Sequence, residues 1–445
     1  MKPPHRTPLA SALVAGIAAI ASAQSIDPIV IVANNGNVEG SISSLRVEAD
    51  GSLTFIDRVV TGDLAVDNPC IGCNAFRVSL SPDGQFAATV HATGGTFERI
   101  AVTRVNADGT LDIVEEIFAS FLGTDVQWIT DDVLAIILST DQLELLTWDG
   151  IELGPGSSAF AGTFFNDMAI HPNRRWLYCN DSSSFTVRVF DIDPGDGPGG
   201  GPTATLVQTL GIPVFGSSLI VDPTGRYLYA AGGTAAGGNA IAGFTIDQVD
   251  GSLSLIPGPG PSNTFVSPGE FPKNFAFVSD TLLYAGHGGD ATVQAFDVDP
   301  DTGAIAATGA SFDIGGRGTL RELDAGSGRL FAIDGEDLFD NLEGVYSFSI
   351  DNSSTPGTLV PALGAPTPTQ GIDPEDLEYW PGLGPQPCTI ADLAVPFGFI
   401  DLSDVDAFIA AFNTGDPLAD VAFPFGVVDL SDIDAFIAAF IAGCP

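Results

Sequence analysis

Positive charge is scarce in this 445-residue chain: 15 lysines and arginines stand against 56 aspartates and glutamates, for a formal net charge of −41. After Arg329 there is no basic residue at all. A surface of that sign repels phosphate backbones and anionic headgroups, which argues against nucleic acid and acidic lipid as partners. Long apolar runs are missing too. No stretch approaches the roughly 20 uninterrupted apolar residues of a membrane-spanning helix. Neither G-x-S-x-G nor H-E-x-x-H occurs, so the sequence carries no serine-hydrolase elbow and no zinc-protease helix. Histidine is rare, and beyond the first 23 residues only His91, His171 and His287 remain.

The first residues have the pattern of an export leader. Lys2 and Arg6 precede the apolar run LASALVAGIAAIA, and ASA (21–23) supplies the small residues a signal peptidase requires. The expected mature chain begins at Gln24 and is secreted or held at the cell surface. Its charge becomes −43 once Lys2 and Arg6 are removed. Five cysteines in an exported protein point to disulfides. Cys388 and Cys444 bracket a duplicated tail and are expected to clasp it, whereas Cys70 and Cys73, in CIGC, are expected to close a small loop. Cys179, in WLYCND, is left as a buried strand thiol. A redox or zinc site at Cys70 and Cys73 is the competing reading, but no second cysteine pair or nearby histidine completes it.

What the chain has in quantity is turns: 53 glycines and 31 prolines, with only 16% charged residues. An apolar segment, a Pro-Asp-Gly type turn and a short β-rich segment recur in FRVSLSPDGQFAATV, MAIHPNRRWLYCN, LIVDPTGRYLYAAGG, FAFVSDTLLYAG and LRELDAGSGRLFAID, with a weaker copy in VQWITDDVLAIIL. Each reads as a hairpin. A second hairpin follows each one, as in IAGFTIDQVDGSLSLIPG and VQAFDVDPDTGAIAATG. Two hairpins make a four-stranded antiparallel unit, with strands A to D. The B strands fall at about residues 28, 86, 133, 176, 227, 282 and 329, seven units at intervals of 43 to 58 residues.

That period and strand count predict an all-β, seven-bladed propeller over 27–382. The first unit lacks room for an A strand, and one unpaired β-like segment, DPEDLEYWPG (373–382), follows the last. The ring is therefore expected to close by pairing the two ends of the chain, which removes two exposed edges. A β-sandwich followed by a second β domain is the alternative fold. The low-complexity piece DPGDGPGGGPT (193–203) is expected to be a long loop between strands C and D of the fourth blade.

The alternation of S-P-D-G-x-[FY]-x-x-V with V-x-x-F-x-[IV]-D…G-x-L resembles the lactonase-type seven-bladed propeller family, which includes 6-phosphogluconolactonase-like proteins. The resemblance implies the fold strongly and the chemistry weakly. In enzymatic members the strand opening the sixth blade resembles G-P-R-H. Here it reads GEFPKNFAF, with Lys273 at the arginine position and Asn274 at the histidine position. Asn274 cannot activate water. Asp125, Asp167, Lys273, Arg321 and Glu375 lie near the starts of predicted A strands and are expected to face the central channel. Lys273, Arg321, Glu375 and Asp167 are the catalytic candidates, since a carboxylate with nearby cations suits acid/base work or a metal. The alternative is that these polar groups hold neighbouring blades in register. His171 is expected to be structural at its turn, while His91 and His287, each after a B strand, are expected to be solvated loop residues unless they mark a pocket.

The tail contains ADLAVPFGFIDLSDVDAFIAAF (391–412) and, 28 residues on, ADVAFPFGVVDLSDIDAFIAAF (419–440), identical at 17 of 22 positions. Val405, Phe408, Ile409 and Phe412 fall on one helical face, and Ile433, Phe436, Ile437 and Phe440 repeat it. Two such faces pressed together make a small α-helical module (388–445), joined to the propeller by the linker 383–387. This resembles the dockerin-like C-terminal domains of bacterial surface proteins of the variety ending in Gly-Cys. The resemblance implies calcium held by Asp392, Asp401 and Asp404 and by Asp420, Asp429 and Asp432. The early ligands are replaced by Ala394 and Pro396, and six to eight oxygens are not assembled. A small apolar plug in place of the ion is the expected state.

Three functions fit. The first is an exported binding or scaffold propeller tethered through its tail to a protein partner or surface receptor. The others are a lactone hydrolase working in the central channel and a propeller that binds extracellular glycan.

Overall fold

Seven antiparallel sheets appear in the computed structural model, which describes residues 27–66, 70–92, 98–119, 123–138, 142–160, 165–195, 201–233, 239–314, 320–335, 343–382, 402–414 and 430–442, with Ala391, Leu393, Ala419, Val421 and Val428. The innermost A strands are Ala75–Leu80, Gly123–Thr130, Phe165–Ile170, Ser218–Val221, Pro272–Ser279, Leu320–Gly326 and Pro374–Trp380, in blades two to seven and then one. Each lies beside the A strand of the next blade, and the last lies beside the first, which makes a ring. The B strands begin at Ile29, Phe86, Val133, Trp176, Tyr227, Leu282 and Arg329. The repeat therefore located them to within a residue.

The ring closes as the strand arithmetic requires. Pro374–Trp380 pairs antiparallel with Ile29–Asn34, with Ile29 opposite Trp380 and Val32 opposite Leu377. The first sheet thus takes its inner strand from the far end of the propeller sequence, and the sandwich alternative is excluded.

The B strands are apolar on both faces because each blade is packed between two others. Ile29, Ile31 and Ala33 meet Val78, Leu80 and Ala87 of the second blade. Val30 and Val32, alternating with them, meet Phe331, Ile333 and Val345 of the seventh. Among the described residues the propeller core divides into seven such clusters, one at each junction between neighbouring blades. A polar stitch recurs beside them. Tyr178, Tyr229 and Tyr284 donate to the carbonyls of Gly251, Gly303 and Gly357 at 3.1, 2.9 and 2.8 Å, each in the C–D turn of the following blade. Gly303 has φ +69°, and a Cβ there would stand 2.4 Å from the Tyr227 ring. Only glycine satisfies both constraints.

Cys70 and Cys73 are joined in a disulfide, and Cys179 is a buried free thiol. Cys388 and Cys444 lie outside the described residues, as do residues 1–26, where the export leader is expected. The long loop of the fourth blade does link its C strand, Thr186–Asp193, to its D strand, Thr203–Gly211. The fifth blade has an unanticipated feature: its outer edge is split, with Leu253–Leu255 and Phe265–Val266 both pairing with Asn239–Ile246. Proline in PGPGPS breaks the ladder between them.

The tail from Pro385 does not belong to the compact unit of the propeller, Ile26–Gly384. Its described residues form helix α1 (Leu402–Thr414) and helix α2 (Leu430–Ala442). Phe408 stacks on Phe436 with ring centroids 4.2 Å apart, and Ala391, Ala411 and Ala419 complete a small core. The apolar faces are narrower than the periodicity suggested, because Ile409 and Ile437 remain about half exposed while Ala411 takes the inner position. Asp404 and Asp432 are fully buried, and each carboxylate accepts a backbone N–H eleven residues earlier, from Leu393 at 2.7 Å and Val421 at 2.8 Å. The other proposed loop ligands, Asp392, Asp401, Asp420 and Asp429, lie outside the described residues. No described helix is long and apolar enough to cross a membrane.

Candidate functional site

The A strands line the central channel with their side chains. Most of them carry an irregularity near their start, between Ala75 and Arg77, Gly123 and Asp125, and Pro272 and Asn274, for example. The residue just after the first ladder pair therefore stands at the channel mouth, and its successor stands below it. Lys273, Arg321 and Glu375 occupy the mouth on the sixth, seventh and first blades. Arg77, Asp125, Asp167, Asn274, Glu322 and Asp376 form the level beneath.

That lower level opens into a cavity of about 290 Å³ lined by Arg77, Asp125, Asp167, Glu322 and Asp376, with Asp324 and Glu378 deeper. Six carboxylates share one guanidinium. Burial is the largest influence on all six, and it favours the uncharged acid. Asp125 and Asp324 are pushed up to about 7 and Glu378 to about 8, and Asp167, Glu322 and Asp376 are also raised. Arg77, 4.0 Å from Asp376, is held firmly charged by the acids around it, against the opposing effect of its own burial.

Most of these carboxylates clamp one blade to the next. Asp376 accepts the Val78 N–H at 2.7 Å, Asp125 that of Met168 at 2.6 Å and Asp167 that of Leu219 at 2.6 Å. Glu378 does the same for Leu80 and Asp324 for Tyr379, both at 2.6 Å. Asn274 donates its amide to the Arg321 carbonyl. Asp125 and Asp167 thus serve interblade register. Asp167 lies in the lower level and not with the other catalytic candidates. Among the described residues no group of three or more His, Cys, Asp or Glu is arranged to hold a metal.

The mouth is different in kind. Arg321 Nη1 stands 2.9 Å from Glu375 Oε2, and its Nη2 stands 3.5 Å from Asp373 Oδ1. Gly335 makes room for this side chain, since a Cβ there would fall 2.3 Å from Arg321 Cγ. Arg321 Nε is buried with no hydrogen-bond partner among the described residues. Lys273 is lowered by burial, and Glu375 is the main charge opposing that shift. Two cations and a buried carboxylate from three consecutive blades therefore converge at one rim. Three of the four catalytic candidates are brought together there; Arg77, beneath them, was missed because FRVSL reads as a strand with a solvent-facing arginine.

The histidines depart from expectation. His91 and His287 are the last residues of their B strands and are fully buried, not solvated. His91 donates from Nδ1 to the Arg99 carbonyl at 2.8 Å, and burial lowers it to about 4. His287 faces the Thr292 carbonyl through Nδ1 at 3.1 Å and takes the Ser267 hydroxyl on Nε2 at 2.6 Å. This is the arrangement of a nucleophile and its base, but both residues are buried and the bond anchors a loop. His171 is structural as expected: Nε2 donates to the Gly225 carbonyl at 2.8 Å and the ring packs on Trp176.

Residues 166–321 match the family described as "Lactonase, 7-bladed beta-propeller". The chain is 26% identical over 247 residues to the 6-phosphogluconolactonase of Pectobacterium atrosepticum, covering 52% of this chain and 68% of that one. Among solved structures, a Bacteroides uniformis protein provisionally assigned as a 6-phosphogluconolactonase aligns over 80% of this chain and 100% of its own, with a TM-score of 0.63 and 15% identity. The periplasmic gluconolactonase of Pseudomonas aeruginosa aligns over 65% of this chain and 83% of its own, with a TM-score of 0.53 and 18% identity. The body of this chain is thus a seven-bladed β-propeller, similar in sequence to the lactonase family over 166–321 and to a 6-phosphogluconolactonase over 247 residues.

Proposed function

We propose that this protein hydrolyses an uncharged sugar lactone at the mouth of the channel. The observation that carries the reading is the convergence of Lys273, Arg321 and Glu375, with a buried guanidinium N–H of Arg321 left without a partner. Glu375 accepts a proton from the attacking water as its oxygen bonds to the lactone carbonyl carbon. The developing oxyanion is met by the Arg321 and Lys273 donors. Collapse of the tetrahedral intermediate breaks the ring C–O bond, and Lys273 supplies a proton to the departing alkoxide. The proton on Glu375 passes to Lys273, which restores both side chains, and the hydroxy acid leaves as its carboxylate with its acid proton released to solvent.

The charge balance selects the substrate. Glu375 and Asp373, both paired with Arg321, match in number the charges of Arg321 and Lys273, and the cavity below is acidic, so the site offers no net positive charge to a phosphate. A neutral aldonolactone suits this better than the phosphorylated substrate named for the Pectobacterium relatives, and the Pseudomonas neighbour is named for such a lactone. The test is turnover of D-glucono-1,5-lactone against its 6-phosphate, with Lys273→Ala and Glu375→Gln as controls. Loss of activity in both variants supports the reading, and undiminished activity in both overturns it.

A second reading is favoured by Asn274, whose amide is committed to the Arg321 carbonyl at the position where enzymatic relatives resemble G-P-R-H. On that reading the same mouth binds a sugar without turning it over. In either case we propose that the leader exports the chain and that the tail attaches it to a surface receptor. Deleting 386–445 and comparing cell-bound with released protein tests the attachment.

A further inference from the structure

Two residues before Lys273, Phe271 adopts a left-handed backbone, with φ +58°. For a bulky aromatic residue this is a strained conformation, tolerated only where the surroundings impose it. Here they do. The Phe271 N–H donates to Asn239 Oδ1 at 2.9 Å, and its carbonyl accepts from Gly288 N at 3.0 Å. The flanking chain is equally fixed: Glu270 N donates to Asp290 Oδ2 at 3.0 Å, Ser217 Oγ to the Pro272 carbonyl at 3.0 Å, and buried Ser267 to His287 at 2.6 Å.

All this restraint holds a phenylalanine that does not pack into the core. The residue is 47% exposed. It also shares a small open spot with the proposed site, for a Cβ placed on Gly288 would lie 3.5 Å from Lys273 Cδ and 3.8 Å from Phe271 Cδ1. A rigid, half-exposed ring beside a half-buried lysine is suited to receive the C–H face of a flat six-membered ligand whose polar edge reaches the cation.

We propose that Phe271 is a specificity-determining residue, a stacking platform for a pyranose-sized polyhydroxy lactone bound at Lys273. This rests on the lactone reading above and adds the surface that selects ring size and shape. Water leaves the exposed ring when the ligand stacks, and the strained, pre-set loop loses little freedom on binding.

The experiment measures binding of D-glucono-1,5-lactam, a ring analogue that is not hydrolysed, together with KM and kcat for D-glucono-1,5-lactone and the thermal midpoint. Variants are Phe271→Ala, Phe271→Gly and Phe271→Trp in the full chain. A platform predicts that lactam Kd and KM rise about tenfold in the Ala and Gly variants with kcat unchanged, and return toward wild type in the Trp variant. The Gly variant relieves the left-handed strain, so its thermal midpoint does not fall. A purely structural phenylalanine would give the reverse, a lower midpoint with Kd and KM unmoved, and that result overturns the proposal. So does a wild-type protein that does not bind the lactam. Turnover that needs Lys273 but ignores Phe271 overturns this inference and leaves the lactonase reading standing. Phe271-dependent lactam binding without turnover of any lactone does the opposite.

Discussion

The carboxylate of Asp376 accepts the amide proton of Val78 at 2.7 Å, joining residues that lie 298 positions apart in the chain. It is one of a series of buried acids that fix the innermost strand of one blade against the next. Removing this acceptor strands a buried N–H, which costs about 1–3 kcal/mol. Asp376→Ala is therefore expected to lower the urea midpoint clearly, and Asp376→Asn, which keeps an acceptor oxygen, to lower it much less. Equal losses in the two variants would show that the charge near Arg77, not the amide bond, is what matters.

Stability should fall as pH rises through neutrality. Burial raises Asp125 and Asp324 from the ordinary 3.8 to about 7, and Glu378 from 4.5 to about 8. Between those limits the folded state holds protons that the unfolded chain has released, so each of these groups contributes stability that is complete below about pH 4 and gone above about pH 8. Exposed turn aspartates such as Asp50 and Asp299 are lowered by their hydrogen bonds and act oppositely, only at more acid pH. The thermal midpoint is expected to be higher at pH 5 than at pH 8. Glu378→Gln should flatten that slope, and differential scanning calorimetry of both proteins checks it.

The tyrosine stitches are expected to be individually modest. Tyr284 donates to the Gly357 carbonyl at 2.8 Å from a buried position. Tyr284→Phe keeps the ring and leaves one carbonyl unpaired, for a loss of about 0.5–1.5 kcal/mol by urea denaturation. Since Tyr229 makes the equivalent bond at a different junction, the double variant should show nearly additive losses.

Cys179 is buried in the fourth blade, and burial raises its thiol well above the ordinary range. Alkylation depends on the thiolate and on access. Iodoacetamide followed by peptide mass spectrometry should leave Cys179 unmodified in the native protein and modify it fully in denaturant. Labelling under native conditions would mean that this blade opens locally.

In the tail, Asp404 holds the Leu393 N–H to the start of α1, and Asp432 does the same for Val421 at α2. Asp404→Ala together with Asp432→Ala is expected to loosen both helices, a loss visible as reduced ellipticity at 222 nm. Adding millimolar calcium to the wild-type chain is expected to leave that signal unchanged, and micromolar calcium binding by calorimetry would overturn the apolar-plug reading of the loops.

Strand positions were legible because a packed blade imposes a local signature: a turn of Asp, Gly and Pro, then a run such as IVIVAN or VLAIIL that is apolar on both faces. The closing strand was legible by counting. The site was only half so. Lys273, Arg321 and Glu375 could be picked out by their place at strand starts, but Arg77, Asp376 and Glu378 acquire their meaning from neighbours dozens to hundreds of residues away. Their carboxylates look like solvated charges until the ring buries them. His287 looked like a loop residue because GHGGD reads as a turn, whereas the ladder carries the histidine inside before that turn begins. The left-handed backbone of Phe271 had no local cue, since it is imposed by Asn239 and Gly288.

Because the first blade borrows its inner strand from Pro374–Trp380, the circle stays unfinished until nearly the last of the propeller sequence has been made. A nascent chain lacking that segment carries an open edge and two half-built junctions, however well its middle has folded. A premature stop anywhere upstream of Trp380 is thus expected to yield a proteolysis-prone fragment instead of a smaller working ring, so that completeness of synthesis is verified by the architecture itself.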